Sequence, residues 1–304
     1  MTTTEFSHLE KNKILILGDL LIDKTYYVEA SKISPEAPIL ACNLLPNGNI
    51  ETPGGAGLAA SYAAKNKINS LFLSMIDPTN DPILYKKNIK YINLQPQKNV
   101  SKIRYIDKTS GYQLIRIDND DLVLAENKID HELLYEKIKE ILISDSSIKV
   151  LSLLDYKKGF FSSAFNAALI SLCKELSVKV YTDTKGSILS FNGIDTLKLN
   201  KKEYLAAIAA LNINSPIELI QSLNLQKLII TKGSEGASVF TNTETYDQKS
   251  ERFTGIPDVT GCGDVFDVNF CFYYYIKNFK LQESLMASVY AASKYAHSPI
   301  ETRL

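Results

Sequence analysis

Residues 13–17 read KILIL, a run with almost no polar side chain, and it stops at Gly18-Asp19. A stretch this short and uniformly apolar suits a strand buried on both faces, as strands are in a parallel sheet covered by helices on either side. Similar runs recur at residues 70–75, 149–154, 179–181 and 227–231. Between them, residues 57–67, 131–143, 162–176 and 201–211 carry apolar side chains at helical spacing. Strands alternating with helices demand right-handed crossovers. The expected fold class is therefore α/β, a doubly wound and mostly parallel sheet flanked by helices.

Two stretches break the rhythm. Residues 25–45 and 98–118 are rich in Tyr, Ile and Val, alternate polar with apolar, and lack a helical period. They read as strands of a small antiparallel β lid inserted into the α/β body. No repeat, low-complexity tract or linker interrupts the chain, so residues 1–304 are expected to form one domain carrying this lid. Hydrophobic residues at 45% and charged residues at 22% exclude general disorder. With 34 basic against 34 acidic side chains, the chain has no net charge to draw it to nucleic acid or an anionic membrane, and neither is expected as a partner. Cys42, Cys173, Cys262 and Cys271 contain no CxxC pair, which argues against a zinc site or a disulfide framework. The first dozen residues are polar, and no stretch approaches the roughly 18 apolar residues of a membrane span. A cytoplasmic, unexported protein is the expectation.

The chemistry concentrates at residues 258–264, DVTGCGD, ahead of an apolar and aromatic segment at 265–275. Two glycines around one small residue before a helix let backbone N–H groups converge on an anion. Asp264 would sit in the first helical turn, ready to take a proton from a hydroxyl. Taken alone, GCGD is better read as a tight turn with a helix-start carboxylate, and the context decides. A second glycine cluster, Pro53-Gly54-Gly55-Ala56-Gly57, opens another small-residue helix. With Gly18-Asp19 and Asp23 it sets bare backbone and polar groups at the carboxyl ends of strands, where open α/β sheets bind ligands.

In these stretches the chain resembles the ribokinase-type (PfkB) sugar kinases, and among them the heptose 7-phosphate kinases that make precursors of ADP-heptose. The resemblance is carried in order by GDLLIDKTYY (18–27), SKISPEAPI (31–39), PGGAG (53–57), SKIRYI (101–106), QLIRID (113–118), LLDYKKG (153–159), DTKG (183–186), LNKKEY (199–204), TKGSEGA (231–237) and DVTGCGD (258–264). It implies a ribokinase-like fold, ATP and Mg²⁺ as cofactors, and a small-molecule sugar phosphate as substrate. It further implies Asp264 as the base, with the backbone of Gly261, Cys262 and Gly263 as the anion hole. Asn200 and Glu203 match N-x-x-E, which organises Mg²⁺ through water. Thr231, Gly233 and Gly236, with Asp183 and Lys185, match nucleotide-side positions. Asp23, Gly54 and Gly55 match sugar-facing positions. Lys32, Arg104 and Lys158 are the cations in matched stretches suited to a phosphate already on the sugar. Relatives often pair through the lid, so a homodimer is the expected association.

Departures bear on the substrate. Leu58 stands where relatives commonly carry a sugar-contacting Asn, which leaves open a kinase for another sugar or a nucleoside. Cys262 replaces the usual Ala, Val265 a smaller or hydroxylated residue, and Thr184 the usual Pro. Residues from His297-Ser298-Pro299 onward depart from the family pattern, which leaves open a non-catalytic binder of sugar phosphate or nucleotide. A kinase-only arrangement is expected, without a nucleotidyltransferase half.

Overall fold

The computed structural model describes residues 11–251, 253–254 and 257–298. The expectations placed on the first ten residues and on residues 299–304 lie outside these. The elements are β1 (Lys13–Gly18), β2 (Leu20–Ile33), β3 (Leu40–Gly55), α1 (Ala56–Lys65), β4 (Ser70–Met75), α2 (Asp81–Lys86), β5 (Tyr91–Gln95), β6 (Val100–Asp107), β7 (Gln113–Asp118), α3 (Asp120–Glu126), α4 (His131–Ser144), β8 (Ile148–Asp155), α5 (Ser163–Glu175), β9 (Lys179–Thr184), β10 (Thr196–Asn200), α6 (Lys201–Leu211), α7 (Pro216–Ser222), β11 (Lys227–Thr231), β12 (Ala237–Phe240), β13 (Thr245–Gln248), α8 (Cys262–Phe270) and α9 (Leu281–Ala296). A π-helical turn, Cys271–Ile276, continues α8 through the aromatic segment.

Nine strands form one sheet in the order β13-β12-β11-β10-β9-β8-β1-β4-β5. From β5 to β11 every pairing is parallel, and β12 and β13 close one edge as antiparallel strands. The KILIL strand lies inside, with Ile14, Leu15, Ile16 and Leu17 at most 1% exposed. Their alternation feeds two cores. Leu15 and Leu17 pack with the side carrying α4 and α5, whereas Ile14 and Ile16 pack with the side carrying α1, α8 and α9. Strand order reverses between β1 and β8, and the carboxyl ends there deliver Asp19, Tyr156, Asp183 and Asn200 to one rim.

The lid is a separate four-stranded sheet, β3-β2-β6-β7. Its strands are longer than their sequence pattern suggested, because β2 starts at Leu20, directly after β1, with Leu20, Leu21 and Ile22 buried. Two pairings are antiparallel, and β2 with β6 is parallel. That register sets Asp23 beside Lys102, and Lys102 beside Asp118. Among the described residues no helix is long and apolar enough to cross a membrane.

Candidate active site

A cavity of about 1090 Å³ lies between the rim of the large sheet, the lid and the start of α8. Asp23, Gly55, Lys102 and Arg104 line one end, and Thr231, Gly233, Gly236 and His297 line the other. Asp264 lies on the wall between them, 5% exposed. Burial pushes its carboxyl up to about 6; the Tyr156 hydroxyl, Lys198 and Lys185 oppose that rise and Asp183 adds to it. The hydroxyl of Tyr156 donates to Asp264 Oδ1. Oδ2 has no partner among the described residues.

The turn before α8 is built on Gly261, whose φ of 80° is left-handed, and a Cβ there would stand 2.6 Å from Leu58 Cδ1. The structure departs from expectation at Cys262, whose amide donates to the Val259 carbonyl at 3.2 Å. The amides of Gly261, Gly263 and Asp264 have no partner among the described residues, so they are the open donors of the turn. Lys198, which also lines the cavity, comes close to this turn: a Cβ on Gly263 would stand 3.2 Å from its Nζ.

Lys198 belongs to β10 and is 2% exposed. Its ammonium lies 2.6 Å from Asp183 Oδ2 and 2.9 Å from Asp267 Oδ1. Tyr181 donates to Asp267 Oδ1 at 2.6 Å. Lys185 extends the chain of charges, at 3.0 Å from Asp183 Oδ1 and 2.8 Å from Glu203 Oε1. Burial works to raise Asp183, yet the two ammoniums beside it hold it below its ordinary value. Burial takes Asp267 to about 7, against Lys198 and with the help of Asp183 and Asp264. Lys198 is raised despite its burial, because two carboxylates face it.

Asn200 and Glu203 form a capping box at the start of α6. The Asn200 side chain accepts the Glu203 amide at 2.9 Å, and Glu203 Oε2 accepts the Asn200 amide at 2.8 Å. No group of three His, Cys, Asp or Glu side chains suited to a metal occurs among the described residues. This donor set fits only an ion that keeps its waters and takes phosphate oxygens, as magnesium does.

At the lid end, Asp23 Oδ1 accepts from Arg104 Nη1 at 2.6 Å. A Cβ on Gly54 would fall 2.2 Å from Asp23 Oδ2, so only glycine fits beside that carboxylate. Two of the three cations expected to meet a sugar phosphate lie elsewhere. Lys32 is exposed near the far end of β2, opposite Ala41. Lys158 is paired with Asp120 and lines a separate small pocket. Lys102, which sequence reasoning missed, lines the cavity instead. Burial lowers its pKa, Arg116, Lys158 and Arg104 add to that effect against Asp23, and it makes no ion pair with the described residues.

Tyr156, Lys198 and Asp267 were missed as well. Signals existed for two of them: Lys198 interrupts an apolar strand, TLKLN, and Asp267 an apolar helix, VFDVNF. A charge at such a position has to find a partner.

Residues 85–297, more than half of the chain, match the pfkB family carbohydrate kinase profile. The chain is 30% identical over 294 residues to the bifunctional protein HldE of Campylobacter jejuni (strain RM1221), covering 92% of this chain and 60% of that protein. It spans only 54% to 60% of such curated relatives. Among solved structures it is similar to the phosphofructokinase-2 mutant Y23D from Escherichia coli, with a TM-score of 0.71 and 18% identity over 94% of this chain and 93% of that one. It is also similar to ribokinase from Thermotoga maritima, with a TM-score of 0.68 and 18% identity over 94% of this chain and 93% of that one. The fold is thus ribokinase-like. The chain belongs to the pfkB family of carbohydrate kinases, which are phosphotransferases.

The charge network yields a stability test. Lys198→Met leaves Asp183 and Asp267 facing each other without their shared cation, and should cost about 3–5 kcal/mol in denaturant unfolding. A wild-type midpoint in that variant would show that the ammonium carries no part of the packing between β9, β10 and α8.

Proposed function

We propose that the chain transfers the γ-phosphoryl group of ATP to a hydroxyl of a phosphorylated sugar, converting a heptose 7-phosphate to the 1,7-bisphosphate with Asp264 as base. The observation that carries this reading is a carboxylate with one open oxygen, set on the wall of a cavity whose lid end bears Lys102 and Arg104. The heptose is favoured by the QLIRID and ISPEAP stretches and by 28–30% identity to HldE proteins.

In this reading the acceptor hydroxyl gives its proton to Asp264 while its oxygen bonds to the γ-phosphorus. The bond from that phosphorus to the β-phosphate oxygen breaks, and ADP leaves with the electron pair. A carboxyl near 6 is ionised at neutral pH yet close enough in affinity to hold the proton. The amides of Gly261 and Gly263, backed by Lys198, offset charge on the transferring group. Thr231, Gly233 and Gly236 flank the nucleotide. Asn200, Glu203, Asp183 and Lys185 lie on the magnesium side, where the hydrated ion would neutralise phosphate charge when bound.

Leu58 favours a second reading. It lines the cavity, 6% exposed against Val265 and Tyr295, and offers no hydrogen bond. A sugar hydroxyl left unpaired there costs about 1–3 kcal/mol, enough to change the preferred sugar. An ATP-consumption assay across heptose, hexose and pentose phosphates and nucleosides decides between them. Asp264→Asn should lower turnover on the best acceptor by about 100-fold or more; turnover that survives it means the base is another group. Ligands that raise the melting temperature without any turnover would make the chain a binder.

Lys102→Gln should raise KM for the sugar phosphate about tenfold, leaving KM for ATP and for the unphosphorylated sugar unchanged, since a charge-assisted bond to the anion is lost. Lys32→Gln should change neither. Equal KM values for wild type and Lys102→Gln would remove Lys102 from the phosphate end.

The lid also supports a homodimer. Ile33, Leu40, Leu44, Ile115 and Ile117 are exposed on it, an apolar surface that a second copy would cover. Sedimentation should show a dimer at micromolar concentration, and a monomer throughout would count against the lid pairing.

A further inference from the structure

Asp19, which follows β1, is 4% exposed, and its carboxylate is given over to one loop. It accepts the backbone amides of Tyr156 at 2.8 Å, Lys158 at 3.2 Å and Phe160 at 3.3 Å. The neighbouring carboxylate of Asp155 accepts the Lys157 amide at 2.8 Å and the Thr184 hydroxyl at 2.6 Å. Two acids thereby fix a loop that includes left-handed backbone at Lys157 and Gly159, with φ of 59° and 90°. From this loop Tyr156 reaches the cavity, its ring packed against Leu21, Val100 and Val123. Its hydroxyl donates to one oxygen of Asp264 and leaves the other open.

We propose that Tyr156 is the positioning residue of this site: its hydroxyl holds Asp264 Oδ1 so that Oδ2 is the oxygen presented to the acceptor hydroxyl. The inference rests on Asp264 acting as the base. Asp19 and Asp155 hold the tyrosine by holding the loop, and the aliphatic cluster behind the ring keeps it from swinging away. Tyr156 is not itself a base. Its burial, and Asp264 beside it, push its pKa well above the ordinary value, so it remains a donor.

The charged groups facing Asp264 are Asp183 and Lys185 from the end of β9, Lys198 from β10 and Asp267 from α8 itself. From α1 and α9 the packing partners are Leu58 and Tyr295, with His297 farther along the same cavity. Burial raises Asp264 most, and the tyrosine hydroxyl opposes that rise by bonding to the ionised form. Without the hydroxyl the folded-state pKa moves further up. The acid limb of the pH profile then shifts to higher pH.

The test is Tyr156→Phe, which keeps the ring. The expected result is a fall in kcat of about tenfold or more, KM values within about twofold, and an acid limb of kcat/KM moved up by about half a unit or more. Carboxyl ¹³C NMR, with the Asp264 signal assigned by its loss in Asp264→Asn, reads the same pKa without any acceptor. Wild-type kcat and an unmoved Asp264 titration in Tyr156→Phe would overturn the proposal. So would a lower kcat accompanied by an unmoved titration and a lower melting temperature, which is what a merely structural tyrosine would give. If no acceptor supports turnover in the wild type, but the Asp264 titration moves up in Tyr156→Phe, the kinase reading falls while the hold of Tyr156 on that carboxylate stands.

Discussion

The ammonium of Lys198, closed off from water between Asp183 and Asp267, is the contact on which the site depends. Through it β9, β10 and α8 meet by charge rather than by apolar packing alone. A buried ion pair is weak evidence for stability, since desolvation offsets much of its attraction and an apolar replacement of equal volume often does as well. On the proposed reading, the reason to carry one here lies in the position of the lysine, beside Gly263 at the cavity. A fixed positive charge beside open amides favours an anion at them, in a volume where water does little to screen it.

The same burial separates the roles of acids that lie close together. Asp264 and Asp267 are three residues apart on α8 and so lie toward the same side of the helix, close enough for each to feel the other's charge. Asp267 turns to Lys198 and Tyr181, inside the protein. Asp264 turns to the cavity, with Tyr156 on one oxygen. Asp183, on the adjacent strand, faces two ammoniums and is held below its ordinary value, while burial raises the two helix acids to about 6 and 7. Neighbours, not residue type, sort a permanently charged group from one able to exchange a proton near neutrality.

Much of this was legible in the chain. The short apolar runs became β1, β4, β8, β9 and β11, and residues 201–211 became α6 with its bounds unchanged. β10 escaped because Lys198 sits in its middle, and a rule that seeks uniformly apolar runs discards the strand that carries the central charge. The parallel pairing of β2 with β6 joins segments far apart in the chain, and local alternation cannot report it. The glycine turn at Gly261 was visible as a motif, whereas the engagement of the Cys262 amide depends on how that turn closes. Tyr156 and Asp264 are 108 residues apart, and only the fold brings them together. Lys32 and Lys102 show the difference most plainly. Lys102 shares a strand face with Arg104 two residues on, whereas Lys32 lies nine residues beyond Asp23, about 30 Å along an extended strand.

The attachment of the lid bears on what an acceptor must look like. β2 leaves the body directly after β1, and its first residues, Leu20, Leu21 and Ile22, are buried in the core rather than forming a hinge. Between the two strands lies only Asp19, itself bound to three amides of the Tyr156 loop. Asp23 follows within a few residues, tied to Arg104 and lying in register with Lys102. The root of the lid is therefore built into the same frame that holds Tyr156 and, through it, Asp264. In such a frame the separation between the basic end of the cavity and the open carboxylate oxygen is a property of the core. On the proposed reading, a sugar phosphate is measured by whether its length spans those two fixed points.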